Sequence, residues 1–594
     1  MTNPRPRHQY EWEAEIIEYV NYISDRTRVR SAKALTQPHL DSKIFLLGPH
    51  FVPPCYLHAL RRNQLEPAVN PETLYLKPLR VIHPFYYSEL ARCPRCNCTD
   101  SIRWDGWTGT GPRDVHGMFV DEGAIGTQLR CENCKMDPKS KKGSQQQSSG
   151  EHDEEGDSRT QLKGHCFATT NPEFWCNWAH WSIPIDIPIF FQRCAVTRDL
   201  FDLLIELCPS STAGGLAENI RQLHLLEFNR RKLMYLQAFK SRCTACRGMD
   251  YFSPNPLQSF SDPGDTKNYN DKPISNDVIT KVFQEFVSGS RERESEDYLR
   301  TLSGVSVSFD NTFRAAGKAL VTSADKQKIK VLKGGIISLM NENGEIIGWF
   351  CHGQSNTEIS ELLDGLKTRC KELHVPPPEI FIADNCCHVR SAVTVIFPQA
   401  SMKLDIWHFI MRQVPILLWL LVNPRQKEVV AEISACILKK HAQGRIPVEY
   451  WDQHEQEKRL SDTFEKWSIE GTVWSAGACR VHEEQLKHVR KGCLERPRQD
   501  IRTDGSRIEG SHKGWNSLQR VHSSGITMFT ALCHDFVLRR NIRVASSHKN
   551  KSDFLSSTYG SHHVHLVDGI ARLFNSLQHE GKSTSSTHPL PELM

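Results

Sequence analysis

Between residues 305 and 409 the apolar positions fall into short runs bounded by polar and turn-forming residues. "VSVSFD" (305–310) alternates apolar with small polar residues and stops at Asp310, which predicts a strand ending in a carboxylate. "KIKVLKGGIISLM" (328–340) and "IIGWFCHG" (346–353) predict two further strands, and the Asn-Gly of "NENGE" between them predicts a hairpin. In "NTEISELLDGLKTRCKEL" (356–373) apolar residues recur at 359, 362, 363, 366 and 373, which is helix spacing. "PPPEIFIADN" (376–385) is a short Pro-bounded strand ending at Asp384. A helix over 387–396 and a fifth strand in "ASMKLDIWHF" (400–409) follow. At the other end of the chain, a short amphipathic helix is expected near Tyr10–Ile23.

Three strands in a meander, a helix, a strand, a helix and a strand fit the order of the ribonuclease H-like fold. There the first and fourth strands lie side by side, so Asp310 and Asp384 would face each other. The expected fold class is a multidomain α+β chain. An N-terminal zinc ribbon and helical module precede a ribonuclease H-like mixed α/β core that carries a helical insertion. The expected divisions are an N-terminal region (1–80), a zinc-ribbon-like module (81–136), a disordered insertion (137–162), a helical module (163–246) and a linker (247–275). The first part of the core (276–410), the helical insertion (411–500), a core helix carrying Glu509 (501–545) and a C-terminal tail (546–594) complete the chain. The insertion "DPKSKKGSQQQSSGEHDEEGDSRTQL" (137–162) is too polar to bury the apolar surface that ordering requires.

At 594 residues the chain is too long for one core, and 39% apolar residues with 13 Trp are ample for several. A net charge of +5 is small for this length and does not announce a polyanion binder. Locally the picture changes. From Gln485 to Arg543 twelve Lys/Arg stand against five Asp/Glu, with His488, His512, His522 and His534 among them. This reads either as a solvated surface or as a face that attracts nucleic acid. The opening "MTNPRPRHQYEWEAE" lacks the apolar stretch of a signal segment, and "VPILLWLLV" (414–422) is too short to span a bilayer. An intracellular chain without a membrane partner is expected, in which the 20 Cys serve as metal ligands and buried thiols.

"ARCPRCNC" supplies Cys93 and Cys96, and "LRCENCK" supplies Cys131 and Cys134. Two C-x₂-C knuckles, each presenting two thiolates, are the pattern of a tetrahedral Cys₄ zinc site, with Cys98 able to replace one ligand. "IRWDGWTG" and "VHGMFV" between them read as hairpin strands. Cys243 and Cys246 form a single knuckle. His165, Cys166, Cys176 and His180 could complete a second site with it, but the spacing matches no standard pattern and buried thiols are the preferred reading. Cys386 and Cys387 are expected to be core residues.

Mg²⁺ or Mn²⁺ chemistry on phosphodiesters needs oxygen ligands, and two strand-end aspartates plus one further carboxylate suffice. Glu509, in "TDGSRIEGSHKGWNSLQR" (503–520), is a lone acid among Arg507, His512 and Lys513. Each residue has a plainer reading. Asp310 could end a strand, Asp384 could start a turn or cap a helix, and Ser506 with Glu509 also fits a capping box. Glu483, Glu484 or Glu495 could be the third ligand instead.

Taken together, "SFDNTF", "FIADNCC", "LDIWHF" and "SRIEGSHKGWN" resemble the Asp–Asp–Glu core of transposases, in particular the Mutator-like group and related insertion-sequence enzymes. The resemblance covers roughly 280–545. It implies metal-dependent cutting and strand transfer of DNA, with Asp310, Asp384 and Glu509 as catalytic Mg²⁺ ligands. It also implies a structural or outer-shell role for Asp405 and His408, and a nuclear location. Arg507, His512, Lys513 and Arg520 are the DNA-contact candidates, and a second copy of the chain is a further candidate partner. The segment "FATTNPEFWCNWAHWSIPIDIPIFFQRCAVTRDLFDLLIELC" resembles the signature block of a fungal family that carries the same paired-Cys module, often ahead of transposase-like cores. The rival functions are a catalytically silent DNA-binding regulator on the same fold and a zinc-ribbon interaction scaffold.

Overall fold

The computed structural model describes residues 5–26, 46–53, 69–136, 162, 164–245, 256–317, 319–322, 325, 327–330, 332–351, 356–417, 426–440, 448–469, 474, 476–501, 503, 505–518, 524–548, 551–580 and 588–593. The expected disordered insertion thus lies outside the described residues apart from Leu162, and so do Cys246 and Arg520. The chain is mixed α/β and divides into two units, Met1–Glu285 and Phe286–Met594. No described helix is long and apolar enough to cross a membrane.

The first unit opens with helix α1 (Arg7–Arg26), which buries Ile16, Val20 and Ile23. Its main sheet contains β1 (His50–Phe51), β2 (Leu79–Ile82), β3 (Ile102–Trp107), β4 (Arg113–Val115), β5 (Glu122–Cys131) and β6 (Cys166–Ala168). Strand β5 organises it because ten residues give room for several partners. Its first half pairs with β2 and β4, and its second half with β3 and β6. The regions expected as separate modules therefore share one sheet. The expected hairpin is also revised: β3 pairs with β5, while of "VHGMFV" only Val115 lies in a strand.

Helix α2 (Glu132–Met136) follows β5. The short pair β7 (Ile189–Phe190) and β8 (Ala195–Val196) precedes helices α3 (Arg198–Leu207) and α4 (Ala213–Ala245). The module expected to be helical is so only from Arg198 onward, since its Trp- and Pro-rich first part builds short strands and single turns. The expected linker is likewise not free. Phe260 and Tyr269 are buried with Tyr75, Phe228 and Tyr235, because two aromatic rings give this polar stretch enough apolar surface to dock. His224 of α4 holds it further, with Nδ1 2.8 Å from Asp271 Oδ1 and Nε2 3.0 Å from the Gly117 carbonyl.

In the second unit a π-helical turn (Val287–Arg291) runs into helix α5 (Glu292–Arg300). Its sheet strands are β9 (Ser306–Thr312), β12 (Ile336–Asn341), β13 (Ile346–Cys351), β14 (Ile380–Ala383) and β15 (Ser401–Leu404), in the order β13-β12-β9-β14-β15. The pairs β9–β12 and β12–β13 are antiparallel, and β9–β14 and β14–β15 are parallel. Between β9 and β12 lie the single turn α6 (Phe313–Ala316) and strands β10 (Ala319–Thr322) and β11 (Lys328–Lys330). The expected single strand 328–340 is thus two. At Gly335 (φ +88°) an added Cβ would lie 2.9 Å from the Thr312 carbonyl oxygen, so the chain turns there and β11 pairs with β10 instead. That strand completes a separate small sheet with β18 (Ser524–Gly525).

Helices α7 (Asn356–Glu372) and α8 (Cys386–Ile396) join a core built from Val307, Phe309, Ile337, Leu363, Phe381, Val393 and Leu404. Helix α9 (Ile406–Leu417) leads into the insertion. There α10 (Gln426–Ile437), the hairpin β16 (Leu438–Lys440) and β17 (Glu449–Tyr450), α11 (Gln453–Ile469) and α12 (Ala476–Arg490) extend the same core through Ile433, Tyr450, Leu460, Trp467 and Val489. The chain returns along β15, where Leu404 N–H donates to the Cys493 carbonyl at 2.8 Å. Helices α13 (Ser506–Ser517) and α14 (Ile526–Ser547) follow, then α15 (Val564–His579). The expected C-terminal tail is folded: Phe554, Leu555 and Val564 are buried with Tyr298, Leu538 and Ile542.

Candidate metal centres

Strand register brings the two aspartates together. Ile380, Phe381 and Ile382 of β14 pair with Ser306, Val307 and Ser308 of β9, and the same offset carried two residues on sets Asp384 beside Asp310. Residues two apart on a strand share a face. Val307 and Phe309 point into the core, so Asp310 falls on the other side. Asp310 Oδ1 accepts the Asn311 N–H at 2.7 Å.

The third member of this group is His408. Asp310, Asp384 and His408 each place a ligand-capable atom within 4.8 Å of the others. Asp405 follows β15 and starts α9: its carbonyl accepts from Phe409 N–H at 3.0 Å, and its Oδ1 accepts from Trp407 N–H at 2.8 Å. It is 2% exposed. The cap fixes His408 in the first turn, with Nδ1 3.3 Å from Asp405 Oδ2 and Nε2 3.8 Å from Asp310 Oδ2. A carboxylate behind one nitrogen and open ligands in front of the other is how proteins orient a metal-binding imidazole. His408, expected in a structural or outer role, stands beside both aspartates. One turn further on, Arg412 donates to the Asp384 carbonyl. Arg412 was not among the residues the sequence singled out; its helix spacing from His408 was the available clue.

Helix α13 packs on β9. Glu509 lies in it, three positions before His512, and its side chain is outside the described residues. His512 is not on an open basic face: its Nε2 is 3.8 Å from Asp310 Oδ2. Arg507 donates to the Glu342 carbonyl at 3.1 Å, which commits it to the turn between β12 and β13, whereas Lys513 is exposed. The alternative third ligands Glu483, Glu484 and Glu495 are exposed and outside the aspartate group. Entry into α13 requires Gly505. At φ +72° it approaches the Asp405 carboxylate so closely that a Cβ would lie 2.5 Å from Oδ2.

In the first unit, Cys93, Cys96, Cys131 and Cys134 form a group that could hold a metal ion such as zinc. The first knuckle closes through Asn97 N–H to the Cys93 carbonyl (2.9 Å) and Cys93 N–H to the Cys98 carbonyl (2.9 Å). The second joins the end of β5 to α2, and Cys134 N–H points at Cys131 Sγ (3.5 Å). Cys93 and Cys134 sulfurs are 3.7 Å apart, and those of Cys96 and Cys131 3.6 Å. A tetrahedron with Zn–S of about 2.3 Å has edges of about 3.8 Å, so the spacing fits zinc. Burial works against ionising Cys96, but hydrogen bonds from the Cys98 amide and neighbouring thiols outweigh it and bring that thiol down to about 7. Burial pushes Cys93 up to about 11. Cys98 Sγ also lies close, 3.2 Å from Cys96 and 3.4 Å from Cys131. Among the described residues, Cys166, Cys176, Cys243, His165 and His180 belong to no such group.

The chain matches no protein-family model, and no curated protein matches it.

Proposed function

We propose that this chain is a transposase, or a protein derived from one, which binds DNA and cuts and joins its strands with the help of Mg²⁺ or Mn²⁺. The observation that carries the reading is the meeting of Asp310, two residues before the end of β9, which runs on to Thr312 and past the expected stop, with Asp384 just beyond the end of the adjacent parallel strand β14, and with His408 beside them. The strand order and directions support a ribonuclease H-like core, the scaffold that the transposase-like motifs imply. Hard divalent cations take carboxylate oxygens, which suits the two aspartates, and Glu509 on the helix packed against β9 is the proposed third carboxylate. When bound, the ion would activate the attacking oxygen and stabilise the leaving one on a phosphodiester. The chain's own contribution is placement: Asp405 holds the His408 ring, and Arg412 holds the turn that carries Asp384.

A catalytically silent DNA-binding regulator is the second reading. What favours it is the pair of imidazoles beside Asp310, since His408 and His512, when protonated, would neutralise this carboxylate without an ion. Incubating the full chain with supercoiled DNA and Mn²⁺ separates the two. Nicking that is absent from Asp310→Asn and Asp384→Asn supports the enzyme. DNA binding without nicking in the unaltered chain supports the regulator, and neither binding nor nicking overturns both.

A further inference from the structure

Cys386 and Cys387 open helix α8, two residues beyond Asp384. The sequence gives no reason to treat them as more than packing, and Cys386 is indeed buried, but Cys387 is exposed. Their surroundings are supplied from a hundred residues away. Helix α12 ends in the sequence His488-Val-Arg-Lys-Gly-Cys493. Gly492 takes the left-handed conformation (φ +65°). Gly492 N–H donates to the Val489 carbonyl at 2.8 Å, and Cys493 N–H to the His488 carbonyl at 3.0 Å. This pair of bonds is the Schellman closure, which sets the residue three from the helix end beside the second residue past its cap. An apolar contact usually fills that place, but here it holds an imidazole and a thiol.

The two pairs meet. His488 Nδ1 is 3.6 Å from Cys387 Sγ and 3.9 Å from Cys386 Sγ, and the two cysteine sulfurs are 3.9 Å apart. Ligand-capable atoms of Cys386, Cys387, His488 and Cys493 all lie within 4.8 Å of one another. A tetrahedral zinc with three sulfurs at about 2.3 Å and one nitrogen at about 2.0 Å has S–S edges of about 3.8 Å and S–N edges of about 3.5 Å. The observed spacings are close to both. We infer that Cys386, Cys387, His488 and Cys493 form a second, structural zinc site of the Cys₃His type.

Positive charge is supplied from two sides. Cys386 and Cys387 occupy the first turn of α8, where unpaired backbone N–H groups favour negative charge. The Arg390 guanidinium reaches Cys493 Sγ at 3.4 Å. The four ligands saturate a tetrahedron, which leaves no open position for a substrate and marks the site as structural. Its place gives it a job. It ties the end of the helical insertion to the turn carrying Asp384, next to the point where the chain returns along β15. The inference does not depend on the proposed function, because it concerns a different ion and different ligands.

The test is metal counting on the full chain purified without chelator. Two zinc ions per chain are expected, falling to one in Cys387→Ser, to one in Cys131→Ser, and to none in the double variant. His488→Cys, which keeps four soft ligands, should retain both ions. In the Cys131→Ser background, Co²⁺ should give the intense near-ultraviolet thiolate band of a tetrahedral sulfur site. That band should vanish when Cys493→Ser is added. One zinc in the unaltered chain, lost entirely with Cys131→Ser, overturns the inference whether or not the Cys387 and Cys493 variants fold. A Cys386–Cys493 disulfide in the purified chain overturns it equally.

Discussion

The imidazole of His408 sits between two carboxylates, with Nδ1 3.3 Å from Asp405 Oδ2 and Nε2 3.8 Å from Asp310 Oδ2. The buried Asp405 therefore controls which nitrogen faces the aspartate pair. Asp405→Asn keeps the shape and the helix cap but removes the charge that orients the ring. Losing such a partner costs about 10–100-fold in metal affinity or activity. The Mn²⁺ concentration needed for half-maximal nicking should rise accordingly, while zinc content stays constant. An unchanged Mn²⁺ titration would remove the Asp405–His408 pair from the metal site.

Asp310→Asn and Asp384→Asn should each lower divalent-dependent nicking by several orders of magnitude, because each removes an oxygen ligand and a charge. DNA affinity should change little, since lysine and arginine contacts to phosphate supply most of it. Gel-shift and nicking assays on the same preparations check both statements. Full nicking by a folded Asp310→Asn chain would sink the catalytic assignment.

On the zinc assignment for Cys93, Cys96, Cys131 and Cys134, Cys93→Ser should lower the metal content by one ion and destabilise the sheet that β5 organises, because an ion held there would join the turn at Cys93–Cys98 to the end of that strand. Cys98→Ser should keep the ion, since the other four thiols already complete the tetrahedron. Zinc analysis and thermal melting of the two variants decide this. Zinc loss in Cys98→Ser would make Cys98 a ligand.

Gly505→Ala should destabilise the second unit. Its φ of +72° costs an L-residue about 1 kcal/mol or more, and the added Cβ would press on the Asp405 carboxylate at 2.5 Å. Urea unfolding should show the loss. Nicking should fall further than stability alone explains, because the displaced carboxylate is the one that orients His408.

His482 provides a pH signature. Its ring stacks on Phe464 with centroids 3.9 Å apart, and burial pushes its pKa down to about 4. Unfolded, the imidazole titrates near about 6.5. Between these values the unfolded chain binds the extra proton, so stability falls as pH drops from about 6.5 towards 4, at no more than about 1.4 kcal/mol per unit, and is unaffected above. Compared by urea unfolding at pH 7.5 and 5.5, the unaltered chain should lose about 1 kcal/mol more than His482→Leu. Equal losses would place the titrating group elsewhere.

The sequence by itself determined the local features. Alternation in "VSVSFD" and the Pro-bounded apolar run in "EIFIAD" pointed to two strands with aspartates at or near their ends, and paired C-x₂-C spacing pointed to the four sulfurs, because these patterns depend on residues near one another in the chain. What only the tertiary structure decided is what meets across long separations. The parallel register of β9 and β14 sets Asp310 beside Asp384. The helix cap at Asp405 brings His408, expected only in an outer role, beside both, and Arg412 comes with it. Cys386 and Cys387 read as packing because their partners, His488 and Cys493, stand a hundred residues on, at the end of a helix whose Schellman turn is legible but whose docking place is not. The packing of the stretches read as linker and tail was hidden for the same reason. A few aromatic and aliphatic side chains in polar surroundings, Phe260 and Tyr269 or Phe554 and Val564, order a segment only when a receptive surface exists, and that surface is built by residues far away in the chain.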